Sequence, residues 1–279
     1  MIQLAPAKIN LGLRITGRRN DGFHDLHSIV IPVPFYDLIE IIPDIEGTSD
    51  AEFSMSGIIP DGLPENNLCI RAYRLFSAYC GVRPVRIHLH KQIPFGAGLG
   101  GGSSNAVTVL KALNVLFDTG IPDETMKEMA LKLGSDCSIF LHNKPMLMEG
   151  RGDILTDVSL DLYHYEMVIL NPGLVISTAK AYALIEPEPF TEPLPELIRK
   201  PEYTWRETIR NDFEKPVFGK FPAIRKMRDG LYEHGAVYAA LSGSGSSLYG
   251  LFRRLPELPD WIGKNLIWKG TLKPVTQIP

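Results

Sequence analysis

A run of glycines in the middle of the chain is the segment best suited to chemistry. Between Pro94 and Ser104 the chain reads Pro-Phe-Gly-Ala-Gly-Leu-Gly-Gly-Gly-Ser-Ser, and a pattern of apolar residues with helical spacing follows at once. Such a loop brings backbone N–H groups close to an anion, and the N-terminus of the next helix adds positive potential. The segment predicts a phosphate-binding loop. Ser103 and Ser104 are placed to cap the helix or to reach a metal bound to the phosphate.

The common phosphate-binding loops differ from this one. No Lys-Ser or Lys-Thr closes the glycine run, as it would in a P-loop NTPase. Gly96-x-Gly98-x-x-Gly101 matches the dinucleotide fingerprint, but Pro94 separates the first glycine from the expected strand Val85–His90, whereas a Rossmann turn leaves its strand directly. The protein-kinase signatures V-A-I-K and H-R-D are absent. A mobile glycine linker is disfavoured because such linkers seldom run straight into an apolar helix. A phosphate-cradling loop of another kind remains.

Two further groups have the chemistry of a phosphoryl-transfer site. Lys8 and Asn10 share one face of a strand predicted over residues 2–15, where the residues alone favour solvation over a site. A turn over Thr16–Gly22 reverses the chain, so that Lys8 and His24 are expected to be neighbours. Asp136, at the mouth of an apolar segment, is either a helix N-cap or a site carboxylate.

The histidines do not predict a metal site. His24 and His27 are three residues apart on a strand and therefore point to opposite faces. His88 and His90 share a face, but no third or fourth ligand stands out at a suitable spacing, so a partly exposed strand face is the preferred interpretation.

Composition indicates a small-molecule partner. The chain has 279 residues, 44% of them hydrophobic, with 29 Lys and Arg against 32 Asp and Glu. A net charge of −3 offers no broad basic surface for nucleic acid or for an anionic membrane. Only three cysteines are present, Cys69, Cys80 and Cys137, and no leader sequence is evident, so a reducing cytoplasm is expected. The longest apolar run, Ser28–Tyr36, is too short to span a bilayer.

The periodicity of apolar residues predicts an α+β protein. Strands are expected over 2–15, Phe23–Ile31, Leu38–Ile42, Ala51–Met55, Val85–His90, Glu166–Leu170, Val237–Leu241 and Leu248–Phe252. Helices are expected from the cap Asn67 to Tyr79, directly after the glycine loop, over Asp123–Leu133, over Ser177–Leu184, from Asn211 onward and over Phe221–His234. A turn is expected at Asp61–Asn66, and the five prolines of Glu186–Glu202 predict an extended surface loop. We expect two lobes, residues 1–157 and 158–279, that meet near residues 150–163.

Three segments together resemble the motifs of the GHMP small-molecule kinases. Pro6-Ala-Lys8-Ile-Asn10-Leu is similar to their first motif, the glycine loop to their second, and Leu241-Ser-Gly243-Ser-Gly245-Ser-Ser to their third. The resemblance implies a two-lobed fold, with an N-terminal lobe like domain 2 of ribosomal protein S5 and a ferredoxin-like C-terminal lobe. It also implies transfer of a phosphoryl group from ATP, with Mg²⁺, to an alcohol.

The same resemblance implies a site. Asp136 would be the catalytic base and Lys8 its electrostatic partner, although Cys137-Ser138 stands where the family usually has Val-Pro. Asn10, Gly243 and Ser244 would shape the acceptor pocket, and the ligands of the metal are not identified. ATP would be held by Pro94, Phe95, Gly96, Ala97, Gly98, Leu99, Gly100, Gly101, Gly102, Ser103 and Ser104.

One branch of the family is favoured. Gly17-Arg18-x-x-Asp21-Gly22-Phe23-His24 resembles the signature of the GHMP kinases whose acceptor carries a cytidine diphosphate group and leads to isoprenoid precursors by a non-mevalonate route, and Asn211-Asp-Phe-Glu214 is similar to that branch too. It implies that Phe23, in place of the usual Tyr, and Tyr182 sandwich the cytosine while His24 bonds to its edge. Another GHMP kinase, of the homoserine or mevalonate type, and a non-catalytic binding protein with this fold remain as alternatives. The oligomeric state is not indicated.

Overall fold

A computed structural model of the chain describes residues 1–44, 50–59 and 67–275. The first half forms a sheet with the order β3-β4-β2-β5-β6, in which β1 pairs with β2. Its strands are β1 Ile2–Arg18, β2 His24–Pro43, β3 Glu52–Gly57, β4 Val85–Lys91, β5 Met146–Gly150 and β6 Ile154–Asp157. Its helices are α1 Leu68–Cys80, α2 Gly101–Leu116 and α3 Asp123–Leu133, followed by a 3₁₀ helix over Ser135–Leu141. The expected helix cap at Asn67 is confirmed, since its side chain accepts a hydrogen bond from the backbone N–H of Cys69 at 2.9 Å.

The long hairpin of β1 and β2 forms the spine of this sheet. The sequence predicted separate strands over Phe23–Ile31 and Leu38–Ile42 where the structure has the single strand β2, and this prediction was wrong. The expectation that Lys8 and His24 are neighbours was wrong too, because Lys8 pairs with Pro32 and His24 with Arg18. Along its other edge β2 pairs with β5 through Leu26–Val30 and with β4 through Leu38–Pro43. Pro32 and Pro34, which lack an N–H, lie between these pairings and near a bulge against β1, where a missing donor costs little.

The second half forms a four-stranded antiparallel sheet. Its order, β10-β7-β9-β8, is that of a ferredoxin-like fold and confirms the expected class. The strands are β7 Glu166–Leu170, β8 Tyr238–Leu241, β9 Leu248–Phe252 and β10 Leu266–Thr271, with β8 and β9 joined as a hairpin. The helices are α4 Thr178–Tyr182, α5 Leu194–Leu197, α6 Trp205–Thr208, α7 Glu214–Lys220, α8 Pro222–Glu233 and α9 Asp260–Asn265, with a 3₁₀ helix at Glu202–Thr204.

The segment 186–202 is not the extended surface loop that its prolines predicted. It contains α5, whose leucines Leu194 and Leu197 are buried. Pro195 lies in the first turn of α5, where its missing N–H breaks no helical bond. Leu194 packs on the bulge at Gly12 so closely that a Cβ on that glycine would stand 2.6 Å from Leu194 Cδ2.

Other elements were not predicted at all, namely β5, β6, α6, α9 and β10. Helix α4 is shorter than expected, and the turn predicted at Asp61–Asn66 lies outside the described residues. Within the described part of the chain, no helix is long and apolar enough to cross a membrane.

A continuous core joins the two halves. One cluster of buried side chains contains Leu13 and Leu110 from the first half and Leu170 and Leu241 from the second. The lobe boundary at residue 157 stays a prediction. The cysteines named above are free thiols, and the expected cytoplasmic location also stays a prediction.

Candidate active site

A cleft of about 290 Å³ opens beside the glycine loop. Both halves of the chain supply its walls. From the first half come Lys8, Asn10, Leu13, Leu26, Leu68, Pro94, Phe95, Gly96, Ala97, Gly98, Gly100, Gly101, Gly102, Ser103, Asp136 and Met148. From the second half come Thr178, Tyr182, Phe213, Gly243 and Ser244. The three motifs that lie far apart in the sequence therefore meet in one cleft.

The glycine loop runs into the N-terminus of α2 through backbone that favours glycine. Gly96, Gly98 and Gly100 have φ of +61°, +77° and +69°. The helix begins at Gly101 with Gly100 as its cap, and Gly100 has no side chain to bond the first N–H groups. Of the two roles left open for Ser103 and Ser104, that of the helix cap was therefore wrong. Free N–H groups at this end of α2 therefore remain for an anion.

Two of these glycines are required because neighbouring segments press on the loop. A Cβ on Gly98 would stand 1.9 Å from the carbonyl oxygen of Ser242. A Cβ on Gly100 would stand 2.8 Å from Cζ of Phe140 and 2.9 Å from Cγ of Lys8. Strand β1, the 3₁₀ helix and the turn between β8 and β9 thus all pack on the loop.

Lys8 is a buried cation at the centre of the cleft. Its Nζ donates to Asn10 Oδ1 at 2.6 Å, and Asn10 Nδ2 in turn donates to Ser28 Oγ at 2.8 Å. Its backbone N–H donates to the carbonyl of Leu99, which ties β1 to the glycine loop. Burial lowers the pKa of Lys8, while the negative charge of Asp136 acts in the opposite direction. The interpretation of a solvated strand face was wrong.

Asp136 lies in the first turn of the 3₁₀ helix and lines the cleft. Gly134 is the N-cap of that helix, and no side chain bonds there, so the capping interpretation of Asp136 was wrong. A Cβ on Gly152, in the turn between β5 and β6, would stand 3.4 Å from Asp136 Oδ1. Sequence reasoning missed this neighbour because the hairpin that carries it was not predicted.

The neighbour of Asp136 in the chain is a buried thiol. Burial raises the pKa of Cys137 to about 11, which keeps it protonated at neutral pH, and the hydroxyl of Ser103 hydrogen-bonds to it. Ser138 is buried as well. The residues that depart from the family pattern therefore face the protein interior, while the carboxylate lines the cleft.

Ser104, expected in the nucleotide site, is not among the residues that line the cleft. Its side chain is fully buried, and its hydroxyl has no hydrogen-bond partner in the described structure. Leu99, also expected in the nucleotide site, packs into the core with its side chain.

Four of the groups expected at the acceptor end line the cleft, namely Asn10, Tyr182, Gly243 and Ser244. Phe23 and His24 are not among its lining residues, although His24 lies against Tyr182. The ring of Tyr182 lies 5.0 Å from that of His24 and meets Phe213 edge-on at 4.8 Å. Phe23 is 49% exposed, with the guanidinium of Arg151 5.5 Å from its ring. Burial and the negative charge of Asp136 both raise the pKa of Tyr182, so its hydroxyl stays protonated near the carboxylate.

His24 has an imidazole nitrogen without a partner. Its Nε2 is buried and makes no hydrogen bond within the described residues. Burial, and then the cation of Arg18, lower the pKa of His24, so the ring is neutral at neutral pH. His27, by contrast, is bonded to Glu149 through Nδ1 and to the N–H of Leu194 through Nε2.

Several apolar residues of the cleft were not predicted. Phe213 lies within the singled-out Asn211-Asp-Phe-Glu214 segment, which was the available signal. The others are ordinary residues of strands and helices that no sequence signal marks, namely the apolar Leu13, Leu26, Leu68 and Met148 and the polar Thr178. His88 and His90 lie on the face of β4 away from this cleft and are bonded to serine hydroxyls of β3.

A glycine loop at a helix N-terminus, opposite a buried lysine and a carboxylate, is the arrangement of a phosphoryl-transfer site. Profiles of the GHMP kinases match the chain twice, the N terminal domain at residues 67–144 and the C terminal domain at residues 194–259. The chain belongs to the GHMP kinases and is an ATP-dependent small-molecule kinase.

Two curated relatives share one name. The chain is 44% identical over 252 residues to a 4-diphosphocytidyl-2-C-methyl-D-erythritol kinase of Bacteroides fragilis, covering 90% of this chain and 92% of that one. It is 41% identical over 274 residues to the enzyme of the same name from Bacteroides thetaiotaomicron, covering 98% and 100% of the two chains.

Two solved structures are similar to this chain. A crystal structure of 4-(cytidine 5'-diphospho)-2C-methyl-D-erythritol kinase superposes with a TM-score of 0.79 at 33% identity, covering 98% of this chain and 99% of that one. A mevalonate kinase superposes with a TM-score of 0.65 at 14% identity, covering 90% and 91%, which is similarity of fold alone.

Proposed function

We propose that this kinase transfers the γ-phosphoryl group of ATP to the 2-hydroxyl of 4-diphosphocytidyl-2-C-methyl-D-erythritol, in the non-mevalonate route to isoprenoid precursors. The observation that carries the proposal is the buried Lys8 in the same cleft as Asp136, next to the glycine loop. The names of the relatives supply the acceptor.

Asp136 is the base of the proposed reaction. Its carboxylate takes the proton of the acceptor hydroxyl as the oxygen forms its bond to the γ-phosphorus, and the bond from that phosphorus to the β–γ bridging oxygen breaks to release ADP. The ammonium of Lys8 interacts with the charge of Asp136 and stabilises negative charge that develops on the transferred group. Asn10 holds the ammonium in place through its 2.6 Å bond.

The donor end fits a nucleotide triphosphate. The free N–H groups at the start of α2 face the cleft and suit phosphate oxygens. Mg²⁺ would neutralise phosphate charge there, and the carboxylate of Asp136, which lines the cleft, is an oxygen donor of the kind that it prefers.

The acceptor end fits an aromatic base with a polar edge. Phe23 and Tyr182 offer ring faces, and the buried Nε2 of His24 offers one hydrogen bond that no group in the described part of the chain uses. A neutral imidazole matches the donors and acceptors on the edge of cytosine. Gly243 and Ser244 then close the pocket, where Ser244 Oγ lies 3.2 Å from Thr178 Oγ1.

A panel of alcohol acceptors tests the proposal. We would measure ADP release with ATP and Mg²⁺ for the cytidyl-linked acceptor, homoserine and mevalonate, with an acceptor-free reaction as the background. We expect turnover above background with the cytidyl-linked acceptor alone. Turnover with homoserine or mevalonate would assign the chain to another branch of the family, and background rates with every acceptor would favour a binding protein.

A further inference from the structure

The segment Arg210–Glu214 lies between two parts of the site, and the proposed chemistry gives it no task. On one side it lies beside strand β1 and forms a parallel bridge between Leu13 and Asn211. The N–H of Leu13 donates to the carbonyl of Arg210 at 2.9 Å, and the N–H of Asp212 donates back to the carbonyl of Leu13 at 2.8 Å. The N–H of Ile15 donates to Asp212 Oδ2 at 2.8 Å. The segment is thereby fixed to the strand that carries Lys8.

On its other side the segment holds the turn over residues 242–247. Asn211 is 3% exposed, and its Nδ2 donates to the carbonyls of Leu241 at 3.0 Å and Gly243 at 2.9 Å. Its Oδ1 accepts from the N–H of Phe213 at 3.0 Å. Glu214 Oε1 accepts from the N–H of Leu241 at 3.0 Å. One buried amide thus spans the start of the turn, and both of its donors and its acceptor are in use.

The turn in turn packs on the catalytic groups. The hydroxyl of Ser242 donates to the carbonyls of Gly98 at 2.8 Å and Lys8 at 3.3 Å. The N–H of Ser247 donates to the carbonyl of Ala97 at 3.2 Å. A Cβ on Gly243 would stand 3.2 Å from Lys8 Nζ. A shift of the turn therefore shifts the glycine loop or the lysine.

We infer that Asn211, assisted by Glu214, is a positioning residue that fixes the turn over 242–247 against the glycine loop and Lys8 in the geometry needed for phosphoryl transfer. The inference rests on the proposed roles of Lys8 and the loop. Misplacement of reacting groups by about 1 Å lowers rates by up to roughly 100-fold. Loss of the hydrogen bonds from Asn211 and Glu214 to the turn should therefore lower kcat.

The charge of Glu214 gives a second readout. Burial raises the pKa of its carboxyl to about 7, with the N–H of Leu241 and the cation of Arg228 acting in the opposite direction. The ionised carboxylate is the stronger acceptor for that N–H, so it holds the turn most firmly above neutral pH. The charged and titratable groups that face Glu214 are Arg228, Asp229, Tyr232, Tyr238 and Tyr249.

Asn211→Asp tests the inference because it keeps the shape of the side chain and the oxygen that accepts from Phe213. A carboxyl donates at most one of the two bonds to the turn. Asn114→Asp is the matched control, since Asn114 also ties backbone of a loop, at Ile121, but stands outside the cleft. We would measure kcat, both KM values and the melting temperature of each variant.

We expect Asn211→Asp to lower kcat by about 10- to 100-fold, and Asn114→Asp to stay within about twofold of the parent even where its melting temperature falls. Equal kcat in Asn211→Asp and the parent would overturn the inference, as would losses of kcat that follow melting temperature in both variants. A parent that fails to turn over the cytidyl-linked acceptor would contradict the proposed function instead.

Glu214→Gln keeps the inference testable if Asn211→Asp does not fold. Its amide oxygen still accepts from Leu241 but has no charge to titrate. We expect kcat of the parent to fall as the pH drops through about 7 and this step to be missing in Glu214→Gln. Superimposable pH profiles of parent and variant would count against the inference.

Discussion

The surroundings of Lys8 suit the role proposed for it in phosphoryl transfer. An ammonium group out of water carries a large desolvation cost, which appears as the lowered pKa of Lys8. Within the described residues its direct polar contact is the side chain of Asn10, a neutral group, so the charge is not cancelled at close range. In the cleft, the negative charge that can balance this ammonium is the carboxylate of Asp136 or a phosphate oxygen of a bound nucleotide.

At the same scale, Asp136→Asn is expected to abolish turnover while ATP still binds. The amide keeps the shape of the side chain but cannot accept a proton, and loss of a general base lowers kcat by about 10²- to 10⁴-fold. Kinetics and an ATP titration on the same preparation measure both effects. Asp157→Asn is the control, because Asp157, the last residue of β6, makes an exposed ion pair with Lys144. Unchanged kcat in Asp136→Asn would disprove the assignment of the base.

The acceptor end allows a comparison of two histidines on one strand. His24→Ala should raise KM for the cytidyl-linked acceptor by roughly tenfold, the value of about one hydrogen bond, and leave KM for ATP unchanged. His27→Ala should instead lower the melting temperature without a selective effect, because His27 is bonded within the protein. If His24→Ala alters stability alone, His24 packs the hairpin and does not read a base.

At the scale of elements, the glycine loop depends on its neighbours more than its composition suggests. Gly98→Ala would place a methyl group 1.9 Å from the Ser242 carbonyl in the present geometry, so the loop or the turn must move by more than 1 Å. We expect kcat/KM for ATP to fall roughly 100-fold. Gly120→Ala is the control, because Gly120 has the same left-handed φ and open space around its Cα. Similar ATP kinetics in Gly98→Ala and the parent would show that the loop tolerates the displacement.

The sequence predicted the glycine loop, β1, α1, α3, β7 and the β8–β9 hairpin because each has a strong local pattern. It missed β5 and β6, which are short and gain their stability from long-range pairing, β5 with β2 and β6 with β5. Helix α5 was missed because its segment is rich in prolines. The helix is stabilised by burial of its leucines, and Leu194 packs on the bulge at Gly12, far away in the sequence. The local pattern of residues thus predicted the elements that have one, whereas β5, β6 and α5 depend on burial against segments far away in the sequence.

The same limit applies to the site. The glycine loop was predicted from residue type and spacing, whereas Lys8 and Asp136 were assigned only through the family resemblance. Within the loop, Gly101 has a second reason to be glycine besides the approach of phosphate. A Cβ on Gly101 would stand 2.8 Å from Lys91 Nζ and 3.0 Å from Ile93, in the protein interior. Gly101 therefore serves the packing beneath the loop more than the approach of phosphate. A sequence pattern does not contain which side of a loop faces the core.

At the scale of the whole molecule, the cleft exists only where the two halves meet. Lys8, Asp136 and the glycine loop come from the first half, and Tyr182, Phe213 and Gly243 from the second. The hydroxyl of Tyr249 donates to the carbonyl of Asn10 at 2.7 Å across this junction. Because buried side chains of both halves also share a core cluster, we expect the halves to unfold as one unit.

The tryptophans make this cooperativity measurable. Trp205, Trp261 and Trp268 all follow residue 157, so their fluorescence reports on the second half, while far-UV circular dichroism reports on the helices of both. In urea the two signals should share one midpoint. Leu110→Ala, a cavity in the first half that costs about 2–5 kcal/mol, should move both midpoints to lower urea together. A fluorescence midpoint that stays fixed while the dichroism transition shifts or splits would mean that the two halves unfold independently.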